Sequence, residues 1–183
     1  MQAFTAARTA TTADELWLVE HPPVYTLGLA GKAEHLPRAD NGVPVVHVDR
    51  GGQITYHGPG QVLVYLLLDM RRRDLTVRLL VRRMEQAVID LVGQYGIVAR
   101  GDVNAPGVYV ADAKIAALGL RIRRGCCYHG LALNVDMDLS AFRDINPCGY
   151  PGLEVTQLRD LGVRANVEQI GDALIGHLMR VLS

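Results

Sequence analysis

Cys148 sits in "DINPCGYPG", flanked by Pro147 and Gly149 with Pro151 and Gly152 just beyond. That setting is a stiffened turn, not a core element. A thiol held there works as a nucleophile if a neighbour lowers its pKa, and is otherwise an incidental loop cysteine. Lys114 opens the run "KIAALGLRIRR"; it and Lys32 are the only lysines in a chain that otherwise uses arginine for positive charge. Alternate residues of a strand share a face, so Lys114 is expected beside Ala116, Leu118, Leu120 and Ile122, the more apolar side. There it is either a buried amine that gives up its proton readily or a strand-end residue that snorkels to water.

A third feature is the glycine-rich stretch "RGGQITYHGPGQ", residues 50–61. Each glycine loses more backbone entropy on folding than any other residue, so such a loop implies close approach of backbone to something. It lacks the Gly-Lys-Ser/Thr ending of a phosphate loop, and a strand follows it where the dinucleotide motif needs a helix. Chemistry alone makes it a binding loop for a small molecule or an extended chain. His57 and His129 are each followed by glycine and read equally well as structural. Cys126, Cys127, His129 and Cys148 match no structural-zinc spacing, and three cysteines form no disulfide framework.

The elements that must position these groups follow from periodicity. Residues 15–21 and 23–28 read as strands about the turn His21-Pro22-Pro23, and 43–49 as another. The glycine-rich loop leads into a buried strand, 61–69. Residues 76–95 carry Leu80, Met84, Val88, Leu91 and Val92 at helical steps, with Arg78, Arg82, Arg83, Glu85 and Asp90 between them, and Gly96 ends the run. Strands at 107–110, 114–124 and 127–135 suggest a meander, and 136–153 a loop. Asn166 and Gln169 open a last helix, 167–181. Many strands with few helices make an α+β pattern with a mixed, largely antiparallel sheet.

The 183 residues suggest one domain. Zero net charge argues against a nucleic-acid binder, and the longest apolar run is too short for a bilayer. The N-terminus is no secretory signal, and the cysteine usage fits a reducing cytoplasm. Arg71, Arg72, Arg73, Arg78, Arg82 and Arg83 form a basic patch suited to an acidic partner or to solvent.

Taken together, "ELWLVEHPPVYTLG", "RGGQITYHGPGQ", "APGVYV" with "KIAALGLRIRR", "YHGLALNV" and "INPCGYPGLEVTQL" resemble the lipoyl(octanoyl) transferases of lipoate biosynthesis. They run in family order over most of residues 15–160. The chain departs from the family pattern at Leu66, where proline is usual, and in the tandem Cys126-Cys127. It also looks N-terminally short for the family.

The resemblance implies a single catalytic domain over 1–183, with the α/β sandwich fold of biotin and lipoate protein ligases. It implies an acyltransferase that moves octanoyl from octanoyl-acyl carrier protein to a lysine of lipoyl domains, those of 2-oxoacid dehydrogenase E2 subunits and of glycine cleavage H protein. Cys148 would be the nucleophile and Lys114 its partner. Arg50, Gly51, Gly52, Gln53, Ile54, Thr55, Tyr56 and His57 would form one wall of an acyl tunnel, their N–H groups facing the oxyanion. Ala117, Leu118 and Gly119, with Gly130, Leu131 and Ala132, would form the others, their small size leaving room for the chain. No metal or cofactor is implied, and no nucleic acid or membrane; the expected form is a cytoplasmic monomer. Two alternatives stand beside it: an ATP-dependent lipoate or biotin ligase on the same fold, and a non-catalytic docking module for carrier proteins.

Overall fold

A computed structural model of the chain describes residues 1–183 apart from 39 and 148–151, so Cys148 lies outside the described residues. The long apolar run becomes β5, Gln61–Asp69, the second strand of a six-stranded sheet. Its neighbours are β1 (Glu15–Val19) and β9 (Cys126–Asn134), followed by β8 (Ala113–Arg123), β7 (Gly107–Val110) and the short β6 (Arg100–Gly101). Every pairing in this sheet is antiparallel. Val62, Val64, Leu66 and Leu68 of β5 meet two helices, α2 (Val77–Gly93) and α3 (Val167–Leu182), in the main core. Thr76 caps α2 by accepting the Leu79 N–H, and α3 opens on the reciprocal Asn166–Gln169 capping box read in the sequence. A six-residue helix, α1 (Gln2–Ala7), precedes β1.

A second sheet has three strands, in the order β3 (Val45–His47), β2 (Val24–Leu27), β4 (Ile54–His57). β2 runs parallel to β3 and antiparallel to β4, so the strands overall are mixed but largely antiparallel. A smaller core of Tyr25, Tyr56, Phe142 and Ile145 supports this sheet. No helix among the described residues is long and apolar enough to cross a membrane.

Two expectations change here. The strand expected over 43–49 is only three residues long and exposed, an edge strand beginning after Pro44, which has no N–H to pair. The glycine-rich loop is not loop throughout: Ile54, Thr55, Tyr56 and His57 form β4 and are buried. Glycines on both sides conceal a strand whose pairing to β2 fixes it.

Candidate active site

Lys114 is 3% exposed, so it does not snorkel to water. Nor does it share a face with Ala116. Against β7, Ala116 pairs with Val108 but Lys114 pairs with Tyr109, which leaves Ile115 as an extra residue. This bulge reverses the alternation. Ile115 and Ala116 both enter the main core, while Lys114, together with Ala117, borders a crevice that Ala116 also reaches. Its Nζ donates to Pro106 O at 3.3 Å and lies 5.1 Å from the centre of the Tyr109 ring. Residues 154–156 flank it: Lys114 N donates to Glu154 O, and Thr156 N to Lys114 O.

Around Lys114 is a crevice of only about 10 Å³, lined also by Thr55, Gln61, Asn134, Phe142 and Pro147. Pro147 is the residue before Cys148. Thr55 and Ala117 border both the crevice and a larger, mostly apolar cavity of about 390 Å³ between the two sheets. That cavity is lined by Arg50, Gly52, Gln53, Ile54, Thr55 and His57, and by all six residues expected on β8 and β9: Ala117, Leu118, Gly119, Gly130, Leu131 and Ala132. Gly51 and Tyr56 are not in its lining; Tyr56 packs into the smaller core against Tyr25 and Phe142.

The small residues do two different jobs. Ala117 and Ala132 are cross-strand partners, and both border the cavity. Gly119 and Gly130 are small for another reason. A Cβ on Gly119 would lie 3.0 Å from Arg50 Cδ, and one on Gly130 would lie 1.9 Å from Val64 O. Their smallness admits the Arg50 stem and the β5 backbone, although both also border the cavity. The glycines near Arg50 likewise bring backbones together: a Cβ on Gly28 would lie 2.4 Å from Gly52 O. Gly51 spends its N–H on Leu120 O at 2.9 Å, so it is no oxyanion donor. This corner also stands beside Gly119, about 15 Å along β8 from Lys114.

A buried polar chain joins the two sheets. Asn134 Nδ2 donates to Thr156 O, and Gln61 Nε2 donates to Asn134 Oδ1. Gln61 Oε1 is thereby the acceptor for His57 Nδ1 at 2.8 Å, which assigns the proton to Nδ1. His57 Nε2 then accepts from Thr26 Oγ1, whose own lone pairs take the Arg50 guanidinium. Burial, reinforced by the Arg50 charge, pushes His57 down to about 4, so it is neutral near pH 7. In a separate cluster, Asp49 accepts from both Tyr128 and His129. Two successive β9 residues reach one carboxylate because His129 adopts φ 64°, a left-handed conformation in mid-strand. Burial works to raise Asp49, but the hydrogen bonds from His129 and Tyr128 prevail and hold it at about 2.

Gln61 and Asn134 were missed in the sequence, although each is a polar residue at one end of a largely apolar strand, the available signal for a buried partner. Part of the basic patch has a structural role. Arg72 and Arg73 pair with Asp14, and Arg73 also bonds Leu182 O at the end of α3. Cys126 and Cys127 are on β9; burial pushes the Cys127 thiol up to about 11, which makes it a poor nucleophile.

The family described as the lipoyl protein ligase A/B catalytic domain matches residues 1–179. An octanoyltransferase of Laribacter hongkongensis is 66% identical over 178 residues, 97% of this chain and 86% of the relative. One from Azoarcus sp. is 63% identical over 182 residues, 100% of this chain and 80% of the relative. Among solved structures, a bipartite lipoate protein ligase from Thermoplasma acidophilum superposes with a TM-score of 0.78 at 21% identity, covering 99% of this chain and 76% of that one.

Proposed function

The chain belongs to the lipoyl protein ligase A/B catalytic-domain family and, within it, to the octanoyltransferases, and from there we propose that it carries octanoyl from acyl carrier protein to a lipoyl-domain lysine through a thioester on Cys148. The Cys148 thiolate attacks the thioester carbonyl of the carrier-bound octanoyl group. The carrier's thiolate leaves and takes up a proton, and the acyl group stays on Sγ. The ε-amine of the lipoyl-domain lysine then attacks, loses a proton, and expels the Cys148 thiolate, giving an amide. The first exchange is nearly neutral in energy and the second is downhill, so no nucleotide is consumed.

The observation that carries this reading is the setting of Lys114. Its amine is buried in a crevice that Pro147 helps to line and that adjoins the apolar cavity at Thr55 and Ala117. In the proposal Lys114 takes the proton from the Cys148 thiol and returns it to the departing carrier thiol. The methylene chain lies between the sheets, against Leu63, Leu118, Leu131 and the Ala117–Ala132 pair. The free thiols of Cys126 and Cys127 fit a reducing, cytoplasmic setting.

Incubating the protein with octanoyl-carrier protein and a lipoyl domain, with nucleotide removed, tests it. Octanoylation of the lipoyl-domain lysine is the expected result. A strict need for ATP would instead favour the ligase alternative, and carrier-protein binding without transfer would favour the docking module.

A further inference from the structure

The loop that holds the Lys114 amine is itself held by an acid. Glu85 is on α2 and is buried. Its Oε1 accepts the Gly107 N–H at 3.0 Å. The other end of that same peptide group, Pro106 O, accepts Lys114 Nζ at 3.3 Å. One planar unit therefore connects carboxylate to amine. Gly107 permits this: at φ 152° a Cβ would lie 2.9 Å from Lys114 Cε and 2.9 Å from Ala116 O. Tyr109 fixes the loop from the other side, its hydroxyl donating to Ala105 O at 2.8 Å.

We propose that Glu85 is a positioning residue for the Lys114 amine, acting through the peptide that joins Pro106 to Gly107. The inference rests on Lys114 being the proton carrier of the proposed reaction. A carboxylate at the N–H end of a peptide polarises it toward its carbonyl oxygen. That strengthens the hold of Pro106 O on the amine and favours the amine's charged form. Three charged groups face Glu85: Arg82 from α2, Asp102 from the segment after β6, and Lys114 from β8. Burial raises its pKa, with Asp102 adding to the rise, while the Gly107 N–H, Arg82 and Lys114 oppose it.

Glu85→Gln keeps the shape and an acceptor oxygen for Gly107 but removes the charge. The test is the pH dependence of octanoyl transfer from carrier protein onto the enzyme, followed by intact mass for wild type, Glu85→Gln and Lys114→Met. Glu85→Gln is expected to react on the order of tenfold more slowly at its optimum. Its rising limb is expected to move to lower pH by roughly half a unit or more, because the amine loses a nearby negative charge. A rate loss with an unmoved limb would reduce Glu85 to a structural residue and overturn the proposal, as would a profile identical to wild type. In the wild type, the Gly107 amide resonance is expected to titrate with the same midpoint as the rate. A flat Gly107 resonance would overturn the proposal even if the glutamine variant failed to fold. Lys114→Met separates the two claims. If it acylates like wild type, the reading of Lys114 fails; if it is inactive while Glu85→Gln matches wild type, only the role of Glu85 fails.

Discussion

Replacing Lys114 by arginine keeps the positive charge and is expected to stop the chemistry. The Lys114 side chain is 3% exposed and its crevice has about 10 Å³ to spare, too little for a guanidinium. Overpacking of this kind costs about 1–3 kcal/mol. Arginine also stays charged under any condition the protein survives, so it cannot pass a proton from the thiol to the carrier's leaving group. Losing an acid–base group lowers rates by about 10²–10⁴-fold. Lys114→Met is the comparison. It keeps an apolar stem against the Tyr109 ring and leaves Pro106 O without that donor, a loss of about 1 kcal/mol that relief of amine burial offsets. Urea unfolding and single-turnover acylation read both consequences. The arginine variant should be destabilised and inactive, the methionine variant near native in stability and inactive. An arginine variant that acylates at the wild-type rate, beside an inactive methionine variant, would make Lys114 only an electrostatic partner of the thiolate and refute the proton-transfer reasoning.

Three further outcomes are expected. His57 is held at about 4 against 6.5 in the unfolded chain, so its contribution is complete above pH 6.5 and is lost as pH falls through 6.5 toward 4; urea unfolding should record a loss on the order of 3 kcal/mol, to which His21, His129 and His177 add in the same direction, and a flat profile would contradict it. A hexanoyl donor forfeits two buried methylenes, about 1.6 kcal/mol, so its kcat/KM should be roughly 15-fold below that of octanoyl; equal values would remove the cavity from the acyl path. Cys127 should resist iodoacetamide in the native protein at pH 8 and react only on unfolding, which peptide mapping checks.

Much of the frame is readable from periodicity. The stripe of α2, the capping box of α3 and the apolar run of β5 each follow from local rules, and the structure places them within a residue or two. What escapes those rules is non-local. The bulge at Ile115 depends on β7 register, and it alone moves Lys114 off the face that strict alternation assigns. β4 is a strand because β2 pairs with it, although glycines crowd it in sequence. Glu85 looks like one more polar residue between helical stripes, yet it is buried because the Gly107 N–H and Lys114 face it from distant segments. The smallness of Gly119 and Gly130 is plain in the sequence, but not that it serves Arg50 and β5.

The most direct test of the central claim is the intact mass of the protein after incubation with octanoyl-carrier protein alone, without nucleotide or lipoyl domain. A gain of one octanoyl group, mapped to Cys148 and discharged when a lipoyl domain is added, is the expected result. An acyl group on Cys126 or Cys127, or none at all from a donor of proven integrity, would contradict it.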